Sequence, residues 1–316
     1  MDRPLKVFTG KSNPDLAHAI CKELGIPLGQ SETQRFSNDN LQVKFKESLR
    51  EGDIFIVQSL SANGEFNVSD SIMELLLMID AAKTSSAARV TAVIPYFSYA
   101  RSDKKDEARI PIAARVVADM LQTAGADRVL GIDFHQHQLQ GFFDVPVDHL
   151  YAAPVLTAHY RKKDLKDLVV VAPDVGAAKM ARGFAKRLDA SLAIVDKRRP
   201  RANVAEVVNV VGDVEGRDCL IADDMIDTAG TMTEAARALK ALGAADIYVC
   251  ATHALLSGPA KARFDDAPIK EVTVTDSVAI PESRRPHQLH VLSVGELLSK
   301  AIRFTHSEQS VSSLFD

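Results

Sequence analysis

Apolar residues in this chain gather into short continuous runs, each followed by a longer stretch whose apolar positions recur at helical spacing. Leu5–Thr9 reads as a buried strand, and Asn13 with Pro14 opens a helix that runs to about Leu24. Residues 53–59 (DIFIVQS) form a second strand, 71–83 a helix and 89–95 a third strand. Pro111 suits the first position of a helix through Thr123, where its missing N–H is no loss. Gly125 stops that helix, and 129–135 is again a strand. Buried strands alternating with helices of this length predict an α/β fold with mostly parallel sheets flanked by helices.

The pattern then repeats. Residues 169–172 predict a strand and 176–188 a helix, while 217–225 (RDCLIADDM) parallels 52–60 (GDIFIVQSL). The clearest correspondence sets ADMLQTAGADRVLGIDFH, from Ala118, against RALKALGAADIYVCATH, from Arg237. Both run helix, glycine turn, strand, and end on His135 and His253. A repeat of this length predicts two similar α/β domains, 1–150 and 151–292, with a helical tail at 293–316. The length of 316 residues agrees with two domains at roughly 150 residues each.

Composition narrows the class without giving a function. Hydrophobic residues at 46% and charged ones at 25% are those of an ordinary globular chain. A net charge of −4 offers no basic surface for nucleic acid. Cys21, Cys219 and Cys250 lack metal-ligand or CxxC spacing, which points to a reducing compartment without disulfides. The N-terminus has no apolar signal core. The most apolar helix candidate, from Ser71, is broken by Glu74 and Asp80 and is too short to cross a bilayer. The expectation is a cytoplasmic protein with neither membrane nor nucleic acid as partner.

The chemistry concentrates in residues 220–233, LIADDMIDTAGTMT. An apolar strand runs into two carboxylates, Asp223 and Asp224. A loop of small residues follows, Asp227, Thr228, Ala229, Gly230 and Thr231, and leads into a helix. A helix N-terminus carries unpaired N–H groups and about half a positive charge, and Ala229 and Gly230 let a ligand approach them closely. This composition suits a phosphate cradle. The paired acids suit vicinal sugar hydroxyls, so the stretch can hold a ribose phosphate at both ends. A capped helix after a strand would explain the Asp and Thr alone, but not the pair of acids before them.

This stretch resembles the ribose-phosphate site of type I phosphoribosyltransferases. Four more segments make the resemblance specific: VIPYFSYARSDKKDEARIPIAARVVADML from Val93, GIDFHQHQLQGFFDVPVDHLYAAP from Gly131, VVVAPDVGAAKMARGFAKRL from Val169 and DKRRPRANVAEVVNVVGDVEGRDC from Asp196. In this order they resemble the phosphate-regulated ribose-phosphate diphosphokinases, the phosphoribosyl diphosphate synthetases, over nearly the whole chain. The resemblance implies two phosphoribosyltransferase-like domains and transfer of diphosphate from ATP to ribose 5-phosphate, with magnesium required. It implies that His135 and Asp174 lie near the metal, with Asp133, Asp144 and Asp148 as weaker candidates. It places Lys197 and Arg199 on a catalytic lid over the diphosphate, and Asp223, Asp224, Asp227, Thr228, Ala229, Gly230 and Thr231 around ribose 5-phosphate. The nucleotide would meet Phe36, Asn38, Asp39, Asn40, Arg101, Ser102 and His135. A homo-oligomer, a hexamer in the family, is implied, with phosphate and ADP as regulators and Ser310 and Ser312 at the regulatory position. Rival expectations are a phosphoribosyltransferase that consumes the diphosphate, and a catalytically silent regulatory subunit.

Three departures stand out. In the nucleotide hairpin, Phe36 and Ser37 are followed by Asn38, Asp39 and Asn40, so amides replace the two acids usual there. Ser102 stands where glutamine is common. Gln136 and His137 replace small residues close to where the family binds regulatory phosphate.

Overall fold

The computed structural model describes residues 3–198 and 207–314. The chain divides into two units, one of Met1–Tyr151 with Ser277–Ala279 and Ser293–Asp316, the other of Ala152–Asp276 with Ile280–Leu292.

The first unit runs β1 (Leu5–Thr9), α1 (Pro14–Leu24), β2 (Ser31–Arg35), β3 (Leu41–Phe45), β4 (Asp53–Val57), α2 (Val68–Thr84), β5 (Arg89–Ile94), α3 (Ala113–Thr123), β6 (Arg128–Ile132) and β7 (Val147–Leu150). Strands β1, β4, β5, β6 and β7 form one parallel sheet in that spatial order. Strands β2 and β3 stand apart as an antiparallel hairpin.

Elements begin and end where local chemistry dictates. Helix α1 stops at Gly25, whose φ of 72° no β-carbon opposes. Helix α2 starts earlier than its apolar periodicity suggests, because Asn67 and Asp70 form a reciprocal capping box with both bonds at 3.0 Å. Helix α3 begins two residues after Pro111 rather than on it. The Oγ of Ser102 accepts from the N–H of Ala113 at 3.3 Å, so a distant loop residue caps this helix. Strand β6 ends at Ile132, because Asp133 turns to a φ of 39°.

The second unit runs α4 (Ala153–Tyr160), β8 (Val169–Ala172), α5 (Ala178–Leu188), β9 (Ser191–Arg198), β10 (Val207–Val211), β11 (Cys219–Ile226), α6 (Gly230–Ala241), β12 (Ile247–Ala254), α7 (Ala260–Asp265), β13 (Glu271–Thr275) and β14 (Leu289–Leu292). Its sheet has the order β10-β9-β8-β11-β12-β13-β14, parallel except for the β9–β10 pair. From β8 the chain steps outward to β9, then returns to the other side of β8 with β11. The strand order therefore reverses between β8 and β11. In open α/β sheets the crevice at the carboxyl ends of strands at such a reversal is where ligands bind. Among the described residues the first unit's sheet has no such reversal.

The tail helix α8 (Gly295–His306) packs on α1, where a β-carbon on Gly295 would come within 3.0 Å of Ala19 Cβ. An ion network fixes its far end. Asp53, wholly buried, accepts from Arg89 at 2.5 Å and from His306 Nδ1 at 2.8 Å, and Arg89 also donates to the Thr305 carbonyl at 3.0 Å. No helix among the described residues is long and apolar enough to cross a membrane. The three cysteines are free and buried.

Removing one partner of a buried ion pair leaves the other charge uncompensated and costs about 3–5 kcal/mol. Asp53→Ala is therefore expected to lower unfolding free energy by about 3 kcal/mol or more, read by urea titration. An effect below about 1 kcal/mol would show that the Arg89–Asp53–His306 network does not hold the tail.

Candidate active site

Strand β11 outruns its neighbour at the switch point. Its pairing with β8 covers Cys219, Leu220 and Ile221 opposite Val169, Val170 and Val171. Asp223 and Asp224 thus lie beyond the region paired to β8. Asp174 follows the end of β8 by two residues, which brings it to the same end of the sheet. Gly176 sits tight against it, since a β-carbon there would come 3.1 Å from Asp174 Oδ1. That same oxygen accepts from the N–H of Ala177 at 3.0 Å.

The acids form a charged cluster on a buried strand. The N–H of Asp224 donates to Asp223 Oδ1 at 2.9 Å, and Asp224 is 9% exposed. Burial pushes the Asp223 carboxyl up to about 8, and the nearby charges of Asp224 and Asp174 push the same way. A cation or a set of hydroxyl donors arriving here would relieve that unfavourable charge. Among the described residues no group of three or more His, Cys, Asp or Glu side chains is arranged to hold a metal ion. Hard carboxylate oxygens of this kind fit magnesium, which keeps several waters and binds through a few carboxylates and substrate phosphates.

The loop after the acids leads straight into a helix N-terminus. Ala229 has φ 62° and ψ 3°, a left-handed conformation unusual for a residue with a β-carbon. This turn starts α6 directly, and the hydroxyl of Thr233 donates back to the Ala229 carbonyl at 3.0 Å. The first turn of α6 carries no acidic residue, so its positive end is left for a ligand. Thr228 and Thr231 are exposed there, and Asp227 is partly buried.

The β9–β10 ribbon reaches toward this end. Strand β8 pairs with β9 only through Ile194, while β9 and β10 stay paired out to Arg198 and Val207. The ribbon therefore continues past β8 in the direction of the switch point, and Lys197 lies in its extension, opposite Val208. Arg199 lies outside the described residues.

The other predicted residues belong to the first unit. The β2–β3 hairpin presents an exposed tip in which Asn38 Oδ1 accepts from the N–H of Asn40 at 3.3 Å and Asp39 takes a φ of 65°. Phe36 is 43% exposed at its edge. Arg101 is exposed, while Ser102 is partly buried through its bond to α3. His135 follows β6 by three residues, in a loop held by Phe134, whose N–H donates to His149 Nε2 at 3.0 Å. The repeat's two histidines are thus not equivalent, since His253 lies inside β12 opposite Met225. Of the weaker metal candidates, Asp148 is bound to Arg128 at 2.6 Å.

A separate cavity of about 550 Å³ lies in the first unit, walled by Arg89, Arg128, Asp148, Glu308, Ser310 and Ser312 among others. The His137 ring lies 5.0 Å from that of His149 and 5.8 Å from that of Tyr151, tilted to both. The paired arginines were not legible in the sequence, because their carboxylate partners are remote along the chain.

Comparison with known proteins decides the family. Residues 5–125 match the N-terminal domain of ribose phosphate pyrophosphokinase, and 200–316 match the phosphoribosyl synthetase-associated domain. A ribose-phosphate pyrophosphokinase of Caldanaerobacter subterraneus is 50% identical over 312 residues, covering 98% of each chain. The chain belongs to the ribose-phosphate pyrophosphokinase family. The Bacillus subtilis ribose-phosphate pyrophosphokinase is 48% identical over 99% of this chain and 98% of its own. The crystal structure of phosphoribosylpyrophosphate synthetase from Mycobacterium smegmatis superposes with a TM-score of 0.90 at 42% identity, over 97% of this chain and all of that one. The enzyme is accordingly a transferase, and the expected α/β architecture holds.

The raised Asp223 predicts a pH effect. A carboxyl that ionises near pH 4 when unfolded and near 8 when folded keeps a proton in the native state across that window. Stability is then greatest below the window and falls as pH rises through it, at no more than about 1.4 kcal/mol per pH unit. Asp223→Asn removes this loss. Without ligands and with chelator present, the variant should gain on the native protein in melting temperature between pH 5 and pH 8. Parallel pH profiles for the two proteins would contradict the assignment.

Proposed function

We propose that this enzyme transfers the diphosphoryl group of ATP to the 1-hydroxyl of ribose 5-phosphate, giving 5-phosphoribosyl 1-diphosphate and AMP. The observation that carries this reading is the switch-point arrangement of paired carboxylates and phosphate loop, in a chain of this family. Asp223 and Asp224 accept hydrogen bonds from the ribose hydroxyls, while the N–H groups and hydroxyls of 227–231 hold the 5-phosphate. The attacking oxygen of C1 then meets the β-phosphorus, and the bond from that phosphorus to the AMP oxygen breaks. Binding both substrates in line supplies most of the acceleration, because phosphoryl-type transfer needs positioning and charge stabilisation rather than a covalent partner.

Asp174 and His135 are the residues we assign to magnesium, and the chemistry supplied by the bound ion is neutralisation of phosphate charge. The ribbon position of Lys197 supports its role, with Arg199, as a cationic lid over the transferred group. Phe36, Asn38, Asp39, Asn40, Arg101, Ser102 and His135 are assigned to ATP. The exposed hairpin tip favours a grip on nucleotide bound by a second subunit, and hence a homo-oligomer, for which we take the hexamer of the resemblance. The arginine- and serine-lined cavity supports phosphate and ADP as regulators. Three buried, unpaired thiols suit a cytoplasmic location.

Release of AMP from ATP that requires both ribose 5-phosphate and magnesium tests the activity. It separates this reading from a silent regulatory subunit, which would release none, and from a phosphoribosyltransferase, which would consume the diphosphate instead. Lys197→Ala and Arg199→Ala should each lower kcat by several orders of magnitude with little change in ATP affinity, since such cations act mainly on the transition state. Near-normal turnover in either variant would remove that residue from the lid.

Asn38 and Asn40 bear on donor choice. An aspartate facing the base only accepts, whereas an asparagine amide also donates and can suit guanine as well as adenine. Preference for ATP over GTP should therefore be weaker, by roughly tenfold in kcat/KM, than in the variant with Asn38→Asp and Asn40→Glu. Equal preference in both proteins would make the amides structural.

A further inference from the structure

The phosphate loop is held from behind by one neighbouring segment. The N–H groups of Leu255 and Leu256 donate to the Ile226 carbonyl at 2.9 and 3.2 Å, and that of Ser257 donates to the Asp227 carbonyl at 2.9 Å. The next carbonyl, that of Thr228, accepts from Nη1 of Arg263 on α7 at 2.8 Å. Three successive carbonyls are thus tied to residues 255–263, the first two by backbone and the third by a side chain.

This strap has a directional consequence. In a trans peptide the C=O of one residue and the N–H of the next point to opposite sides of the chain. Tying the carbonyls of 226, 227 and 228 toward 255–263 turns the N–H groups of Asp227, Thr228 and Ala229 away from that segment. The last of these comes just before the left-handed turn at Ala229 that opens α6, a conformation that surrounding contacts must hold in place. Gly230 shows how closely the guanidinium is seated, because a β-carbon there would lie 3.1 Å from Arg263 Nη1.

We infer that Arg263 is a positioning residue for ribose 5-phosphate: by gripping the Thr228 carbonyl, it aims the N–H groups of the loop at the 5-phosphate. The inference rests on the reading of 227–231 as the phosphate cradle. It also accounts for a glycine at 230 by packing against this side chain, in addition to close approach of a ligand.

Steady-state kinetics on the full-length enzyme test it, varying ribose 5-phosphate and ATP in turn. Arg263→Ala should raise the KM for ribose 5-phosphate about tenfold, as loss of one charge-assisted hydrogen bond would. The KM for ATP, kcat and the melting temperature should stay near native values. Arg263→Lys, which keeps a donor at similar reach, should recover most of the loss. Thr231→Ala serves as the reference for the loop itself. If Thr231→Ala weakens ribose 5-phosphate and Arg263→Ala does not, Arg263 has no positioning role and the cradle stands. If neither variant moves that KM, the cradle reading falls and takes this inference with it. A parallel drop in kcat and melting temperature at unchanged KM would mark Arg263 as merely structural and overturn the proposal.

Discussion

The second unit depends on one geometric constraint, the reversal of strand order between β8 and β11. A parallel strand flanked on both sides is buried along its length, and a carboxylate on it is less costly where a flanking strand stops. Strand β8 stops early and β11 continues, which is what makes room for Asp223 and Asp224 at the sheet's carboxyl end. Asp174, two residues past the end of β8, is near enough for its charge to act on Asp223. An acidic cluster and a helix N-terminus of opposite sign thus stand a few residues apart along the chain.

That arrangement carries a cost. The acids repel one another in a poorly solvated place, and Ala229 occupies a conformation that its β-carbon disfavours. On the function proposed above, hydroxyl donors at the acids and negative charge at the helix end would offset both costs. A ribose phosphate has both features on one small molecule. The segment 255–263 keeps the loop from relaxing out of this shape while it waits.

The first unit solves a different problem with a similar alternation of strands and helices. Its sheet proceeds in one direction from β1 to β7, without a reversal of strand order among the described residues. What distinguishes it is carried at its edges: a polar hairpin, the loops after β5 and β6, and a tail helix locked down by the Asp53 network. These are surface features grafted on a sheet whose core is ordinary close packing of Val, Ile, Leu and Phe.

Several local elements follow from neighbouring residues alone. Leu5–Thr9 and α1 appear at their expected bounds, since a continuous apolar run and a proline–glycine pair delimit them within a few residues. The loop 227–231 was legible for the same reason, because acids, small residues and helix start are contiguous. Where bounds shifted, the cause was local for α2, through the Asn67–Asp70 capping box, and remote for α3, through Ser102. Strand order, the reach of β11 past β8, the pairing of Asp53 with His306 and the seating of Arg263 on Thr228 were decided only by tertiary structure. Each joins positions remote along the chain, and apolar periodicity records which face of an element is buried, not which neighbour buries it.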